Sequence, residues 1–251
     1  MSHDWQVVGQ LPDPMSGYRP MVPDDVVEQI ARWHERAYQE GRAGAAAEQT
    51  FDYLGATIVV PPEVMPITPM SHLLGEAVLA EAVAGERVLD MGTGSGVNAI
   101  LAAKRGAYVT AVDINPMALE AAKENVSRNG LDGCVEVRHS DVFDNVKETF
   151  DLIVFDPPFR WFPPRTLFEM ASTDEGYRAM TRFFHRAMNH LSHEGRMLIF
   201  FGTSGDIAYL RTLMSDQGFV ATVGAHDQLI RDGQTVEYYT FKVIPCSPGP
   251  S

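Results

Sequence analysis

Apolar and polar residues follow one rule after about residue 70 and another before it. From there on, short apolar runs alternate with stretches that are apolar at every third or fourth position. Runs at 87–91, 108–113, 135–139, 152–155 and 197–201 predict five strands, and the stretches 72–84, 97–104, 117–129, 174–191 and 207–216 predict helices. Gly130 and Gly218 stand where helices end on glycine. The run 152–155 is apolar at consecutive positions, as expected of a strand buried on both faces. The style then changes. Segments 219–230 and 235–244 read as strands around Arg231-Asp232-Gly233-Gln234, and Asp-Gly between strands is a hairpin signal. Alternating strands and helices imply an α/β fold with helices on both faces of a parallel sheet. The expected architecture is a doubly wound, seven-stranded, mostly parallel sheet with a C-terminal antiparallel hairpin.

Residues 1–62 read differently. Residues 1–22 are aperiodic and carry Pro and Gly, which predicts an extended arm. A helix opens at Val22-Pro23-Asp24-Asp25, where proline and acidic residues suit a first turn, and Val26, Val27, Ile30, Trp33, Ala37 and Tyr38 recur at helical spacing. It fades between Gly41 and Gly44. Strand character from Phe51 to Val60 is interrupted by Gly55 and stopped by Pro61-Pro62. Residues 1–62 are therefore expected to form an arm, helix and hairpin that cap a main domain over 63–251.

Ligands of such sheets bind beyond the C-terminal strand ends, and the chemistry-bearing residues cluster there. Asp90-Met91-Gly92-Thr93-Gly94-Ser95-Gly96 joins the first main-domain strand to a helix, whose free N–H groups and flanking glycines permit close approach of a ligand. The dinucleotide pattern G-x-G-x-x-G fits poorly, because the last glycine comes one position early and Asp90 would repel a pyrophosphate. Asp113 ends the second strand, where a carboxylate can accept hydrogen bonds from ribose hydroxyls. Asp141 follows the third strand, and either meets a ligand or caps a following helix. Asp156-Pro157-Pro158-Phe159 follows the fourth, with two prolines to stiffen the exit of the chain.

Taken in order, these motifs resemble class I S-adenosylmethionine-dependent methyltransferases over about residues 51–244. The tetrapeptide resembles the (Asn/Asp)-Pro-Pro-(Phe/Tyr) of the amino-methyltransferase branch. The resemblance implies S-adenosyl-L-methionine as cofactor, with its methionine end against Asp90, Gly92, Thr93, Gly94 and Gly96. Asp113 and Ile114 would hold the ribose, Asp141 and Val142 the adenine, and Asp156 would border the cofactor. It implies catalysis by Asp156, Pro157 and Phe159: the carboxylate and the Pro157 carbonyl orient an acceptor N–H group, while Phe159 stacks on a planar acceptor. Within the branch, the release-factor and ribosomal-protein glutamine methyltransferases are the most similar, with a hairpin and a proline-bearing segment (Val64 to Pro69) ahead of the first main-domain helix. Those enzymes carry Asn in place of Asp156 and a longer helical bundle at the N-terminus. Asp-Pro-Pro-Phe also resembles ribosomal-RNA guanine methyltransferases. The expected activity is N-methylation of an amide or amine of a protein or small molecule. Nucleobase methylation, O- or C-methylation of a specialised metabolite, and a cofactor-binding module without catalysis are the alternatives.

The segment Arg160 to Met170 is rich in aromatic residues for a loop. It is either a strap over the sheet edge or a lid whose Trp161 and Phe162 touch the acceptor. Charge and composition narrow the partners. Lys+Arg 20 against Asp+Glu 33 gives −13, which argues for a small molecule or a protein and against a nucleic acid. No run approaches the ~20 apolar residues that cross a bilayer, and no secretory pattern opens the sequence, so a cytoplasmic protein is expected. Neither the two cysteines nor His185, His190 and His193 have metal-ligand spacing, and no metal is expected.

Overall fold

A computed structural model describes residues 18–44 and 47–246, so most of the expected arm lies outside the described residues. Helix α1 (Asp24–Gly44) is followed by a hairpin of β1 (Gln49–Tyr53) and β2 (Ala56–Val60). The main alternation runs α2 (His72–Glu81), β3 (Arg87–Met91), α3 (Val97–Lys104), β4 (Tyr108–Asp113), α4 (Pro116–Arg128), β5 (Val135–His139) and β6 (Phe150–Phe155). Then follow α5 (Leu167–Met170), α6 (Arg178–Ala187), β7 (Leu191–Gly202), α7 (Ile207–Asp216), β8 (Phe219–Arg231) and β9 (Gln234–Pro245).

The large sheet has seven strands in the order β5-β4-β3-β6-β7-β9-β8. The five strands from β3 to β7 pair in parallel, and β9 pairs antiparallel with both β7 and β8. The order reverses between β3 and β6, which opens a crevice at their C-terminal ends. The consecutive apolar residues of β6 serve two cores. Leu152 and Val154 face the one covered by α2, α3 and the hairpin, while Ile153 and Phe155 face the one filled by Met180, Phe183, Phe184 and Leu210 from α6 and α7. Ile30 and Trp33 of α1 and Ala56, Ile58 and Val60 of β2 belong to the first core, so α1 and the hairpin share the apolar interior of the sheet.

Two departures from the expected elements have local causes. The helix expected over 174–191 is split, because Gly176 and Tyr177 take left-handed φ values of 59° and 55° and break the chain ahead of α6. Strand β7 starts at Leu191, not at 197, since an irregularity in its pairing with β6 absorbs the polar residues between Leu191 and Arg196.

Candidate active site

Strand register assembles the site. Met91 of β3 lies opposite Phe155 of β6, so the glycine loop and Asp156 leave adjacent strands side by side. They border a cavity of about 580 Å³. Its floor is Gly92, Thr93, Gly94 and Ser95, one flank is Asp113, Ile114 and Asn115, and another is Ser140, Asp141 and Val142. Gly94 has a φ of +54° and no atom within 4 Å of the place a Cβ would take, which leaves a bare backbone cradle facing the cavity.

Each carboxylate here has a definable task. Asp113 accepts from Gly94 N–H at 2.9 Å and Asn115 N–H at 2.8 Å, which fixes the loop to the end of β4. Burial raises its pKa against the pull of those bonds. Asp141 pairs with Arg182 of α6 at 2.8 Å, and no helix begins behind it, so the capping alternative does not hold. Val142 is held at a φ of 51°, uncommon for a β-branched residue, with its carbonyl accepting from Ser140 Oγ at 2.7 Å. Asp156 is exposed on the cavity wall, and the protein crowded around that wall, together with the nearby Asp90 charge, pushes its pKa up to about 7.

Several expected contacts lie elsewhere. Asp90 is 2% exposed and sits under the loop, where one carboxylate oxygen accepts from Thr93 Oγ1 at 2.5 Å and Ala99 N–H at 3.0 Å. It shapes the loop and does not line the cavity. Gly96 is required for close packing, since a Cβ there would meet Ala122 of α4 at 3.2 Å. Pro157 is buried. Phe159 is turned into the core, with ring centroids 4.9 Å from Phe201 and 5.6 Å from Phe200. Trp161 packs on Tyr18 and Tyr177, and Phe162 stacks on His34 of α1 at 5.2 Å. The insert reaches the cavity instead through Pro164, Leu167, Met170 and Ala171, opposite Met65, Pro66 and Ile67. It is braced from behind: Glu169, 1% exposed, binds Arg165 and His34 Nε2, and Arg165 also reaches Glu35 of α1.

Asn125 lies outside every motif named above. It lies in the buried face of α4 and is fully buried, donating to Val59 O at 2.7 Å and Ser95 O at 2.9 Å while accepting from Val59 N–H at 2.9 Å. Asn129 repeats this one turn later on Thr57. A polar residue within the run Ala118, Leu119, Ala121, Ala122, Val126 is the signal that marks it.

A model of the family described as "Methyltransferase small domain" matches residues 69–226. The chain belongs to this family. The matched segment is an S-adenosylmethionine-dependent methyltransferase domain, and the cradle at Gly94, the strand-end carboxylate Asp113 and the strained Val142 fit such a cofactor. The methyltransferase is 39% identical over 115 residues to a ribosomal RNA small subunit methyltransferase C of Haemophilus influenzae, covering 45% of this chain and 31% of that one. It is 31% identical over 201 residues to a release factor glutamine methyltransferase of Cereibacter sphaeroides, covering 74% and 70%. The chain thus spans less than a third of the first of these relatives. Among solved structures, the Thermus thermophilus 16S rRNA N2 G1207 methyltransferase, in complex with AdoMet and guanosine, has a TM-score of 0.55 at 23% identity over 77% of this chain and 50% of that one. These findings overturn the expectation that charge argues against a nucleic-acid partner: relatives named for ribosomal RNA match this chain, and −13 is a sum over the whole sequence that does not describe the surface around the cavity. Among the described residues, no helix is long and apolar enough to cross a membrane, and no group of three or more His, Cys, Asp or Glu is placed to hold a metal.

Proposed function

We propose that this methyltransferase methylates a nitrogen on a planar acceptor, a carboxamide or a nucleobase amine, with Asp156 as the residue that orients the acceptor and takes its proton. The observation that carries this is a carboxylate beside the glycine loop, open to the cavity and poised near neutral pKa. The bound cofactor supplies an electrophilic methyl on sulfur. The protein has to aim the nitrogen lone pair along the breaking bond and remove the N–H proton, and a carboxylate with pKa about 7 suits both tasks. In the same reading, Gly92, Thr93 and Gly94 take the methionine end, Asp113 and Ile114 the ribose, and Asp141 with Val142 the adenine. Met65, Ile67, Leu167 and Met170 offer an apolar slot for a flat group, while α1 holds the insert in place from residues 1–62.

The test is transfer of labelled methyl from S-adenosylmethionine to ribosomal RNA fragments and to glutamine-bearing peptides, with the product identified by mass spectrometry. N-methylation is expected, rising with pH through about 7. Asp156→Asn keeps an acceptor oxygen but cannot take the proton, so it should retain only residual activity with no rise through pH 7, whereas Asp156→Ala should lose ~100-fold or more with little change in cofactor affinity. An O- or C-methylated product, or full activity in Asp156→Ala, would sink the reading.

A further inference from the structure

Behind the loop that carries Asp156, a positive charge is left without a counter-charge. Arg160 is pinned to the insert by its backbone, its N–H donating to Ser172 O at 3.2 Å and its carbonyl accepting from Asp174 N–H at 2.8 Å. Its side chain is turned inward, the residue is 8% exposed, and Nε–H has no acceptor. The ionic group that acts on it is a second cation, the half-buried Arg231 at the end of β8. Burial and that neighbour lower its pKa to about 10, so it remains charged at neutral pH. Its other polar neighbours, Tyr177 and Tyr238, are phenols. From α1, His34 faces the same region. Its Nε2 is engaged by Glu169, and its buried Nδ1 has no partner.

The acids nearby are committed elsewhere. Glu169 holds Arg165 and His34, the Asp174 carboxylate accepts from Ala179 and Met180 N–H, and Asp232 holds Arg36 and Trp33 Nε1 while its charge also acts on Arg231, not on Arg160. A guanidinium does not give up its proton at neutral pH, and a buried charge is tolerated only when paired. We propose that Arg160 and Arg231 form a recess for a phosphate oxyanion, separate from the cofactor cavity. A carboxylate would be satisfied by one guanidinium in a two-bond fork, whereas a phosphate carries enough oxygens and charge to engage two. Arg160 lies four residues beyond Asp156, so at ~3.5 Å per residue the two are at most ~14 Å apart along the chain. That span lets a nucleotide place its phosphate at Arg160 while its base meets Asp156. This last step rests on the methyl-transfer reading, but the recess does not.

The experiment titrates inorganic phosphate into the full chain by calorimetry at constant ionic strength, with the His34 ring followed by NMR. Saturable binding that shifts the His34 signals is expected, and Arg231→Gln should weaken it at least tenfold while leaving S-adenosylmethionine affinity unchanged. Arg231 is half-buried, so this variant avoids the folding risk of replacing Arg160. Phosphate binding that fails to saturate, that acetate matches in affinity, or that survives Arg231→Gln would overturn the proposal. A short RNA oligonucleotide as a second titrant identifies the source. Binding tighter than free phosphate and equally sensitive to Arg231→Gln assigns the recess to an RNA backbone, and no gain over free phosphate assigns it to a small phosphorylated molecule. Because these are binding measurements, they hold even if methyl transfer to nitrogen is disproved.

Discussion

At the scale of single residues, Asp113 carries a double load. Its two oxygens already hold the Gly94 and Asn115 N–H groups, and in the proposed site the same carboxylate must also accept from the cofactor ribose. Asp113→Ala therefore removes ribose acceptors and frees the glycine loop at once. Hydrogen bonds to a charged group are worth about 1.5–3 kcal/mol each, so cofactor affinity is expected to fall well over tenfold by calorimetry. Asp113→Asn keeps one acceptor and should lose less, and an unchanged dissociation constant in a folded Asp113→Ala protein would place the ribose elsewhere. Aspartates at strand ends were legible in the sequence because position along a strand decides what they can reach. The direction of a side chain within a loop was not. Asp90 and Gly96 sit in the right motif but face α3 and α4, and Phe159 follows the prolines into the core because Phe200 and Phe201 offer it a partner there.

At the scale of elements, the hairpin of β1 and β2 is held to the main domain by side chains acting as a strand. Asn125 and Asn129, one helical turn apart, pair with both backbone groups of Val59 and Thr57, so α4 satisfies the free edge of β2. Asn125 also holds Ser95 O, which couples the hairpin to the glycine loop. Asn125→Ala would leave three buried backbone groups without partners. The expected cost is about 3 kcal/mol in urea unfolding, accompanied by weaker cofactor binding. A loss of stability with cofactor affinity intact would uncouple the two. The strands and the terminal hairpin could be read from periodicity, because each buries a face whose period is fixed by backbone geometry. The insert could not. Its path depends on Glu169 finding His34 and Arg165 finding Glu35, contacts between segments 130 or more residues apart that leave no local pattern.

At the scale of the whole molecule, the −13 total conceals an uneven distribution, with one carboxylate under the cavity close to another on its wall, and the buried Arg160 guanidinium behind it without a counter-charge. The carboxylates make stability depend on pH. Asp90 is driven up to about 6 by burial, opposed by its bonds to Thr93 and Ala99. Since the folded value exceeds the ordinary 3.8, the folded state binds more protons. The cost is absent below about pH 4, grows from there to 6 and persists above. From that shift, about 2 kcal/mol should be lost between pH 4.5 and 7 through Asp90 alone. Asp156 adds to it, but less than its shift implies, because the open cavity lets solvent screen it. His34, with its pKa lowered, acts in the opposite sense. A difference measurement separates these effects. In Asp90→Asn the amide oxygen can still accept from Thr93 and Ala99, since both donate to the same oxygen. The stability of this variant relative to the unaltered protein, measured by urea unfolding, should rise by about 2 kcal/mol from pH 4.5 to 7. Removing the Asp90 charge also relieves Asp156, so the pH at which methyl transfer switches on should move down. A flat difference between the two proteins would mean that Asp90 is already neutralised or screened in the folded state. It would also remove the electrostatic link by which a buried residue under the loop tunes the one that meets the acceptor.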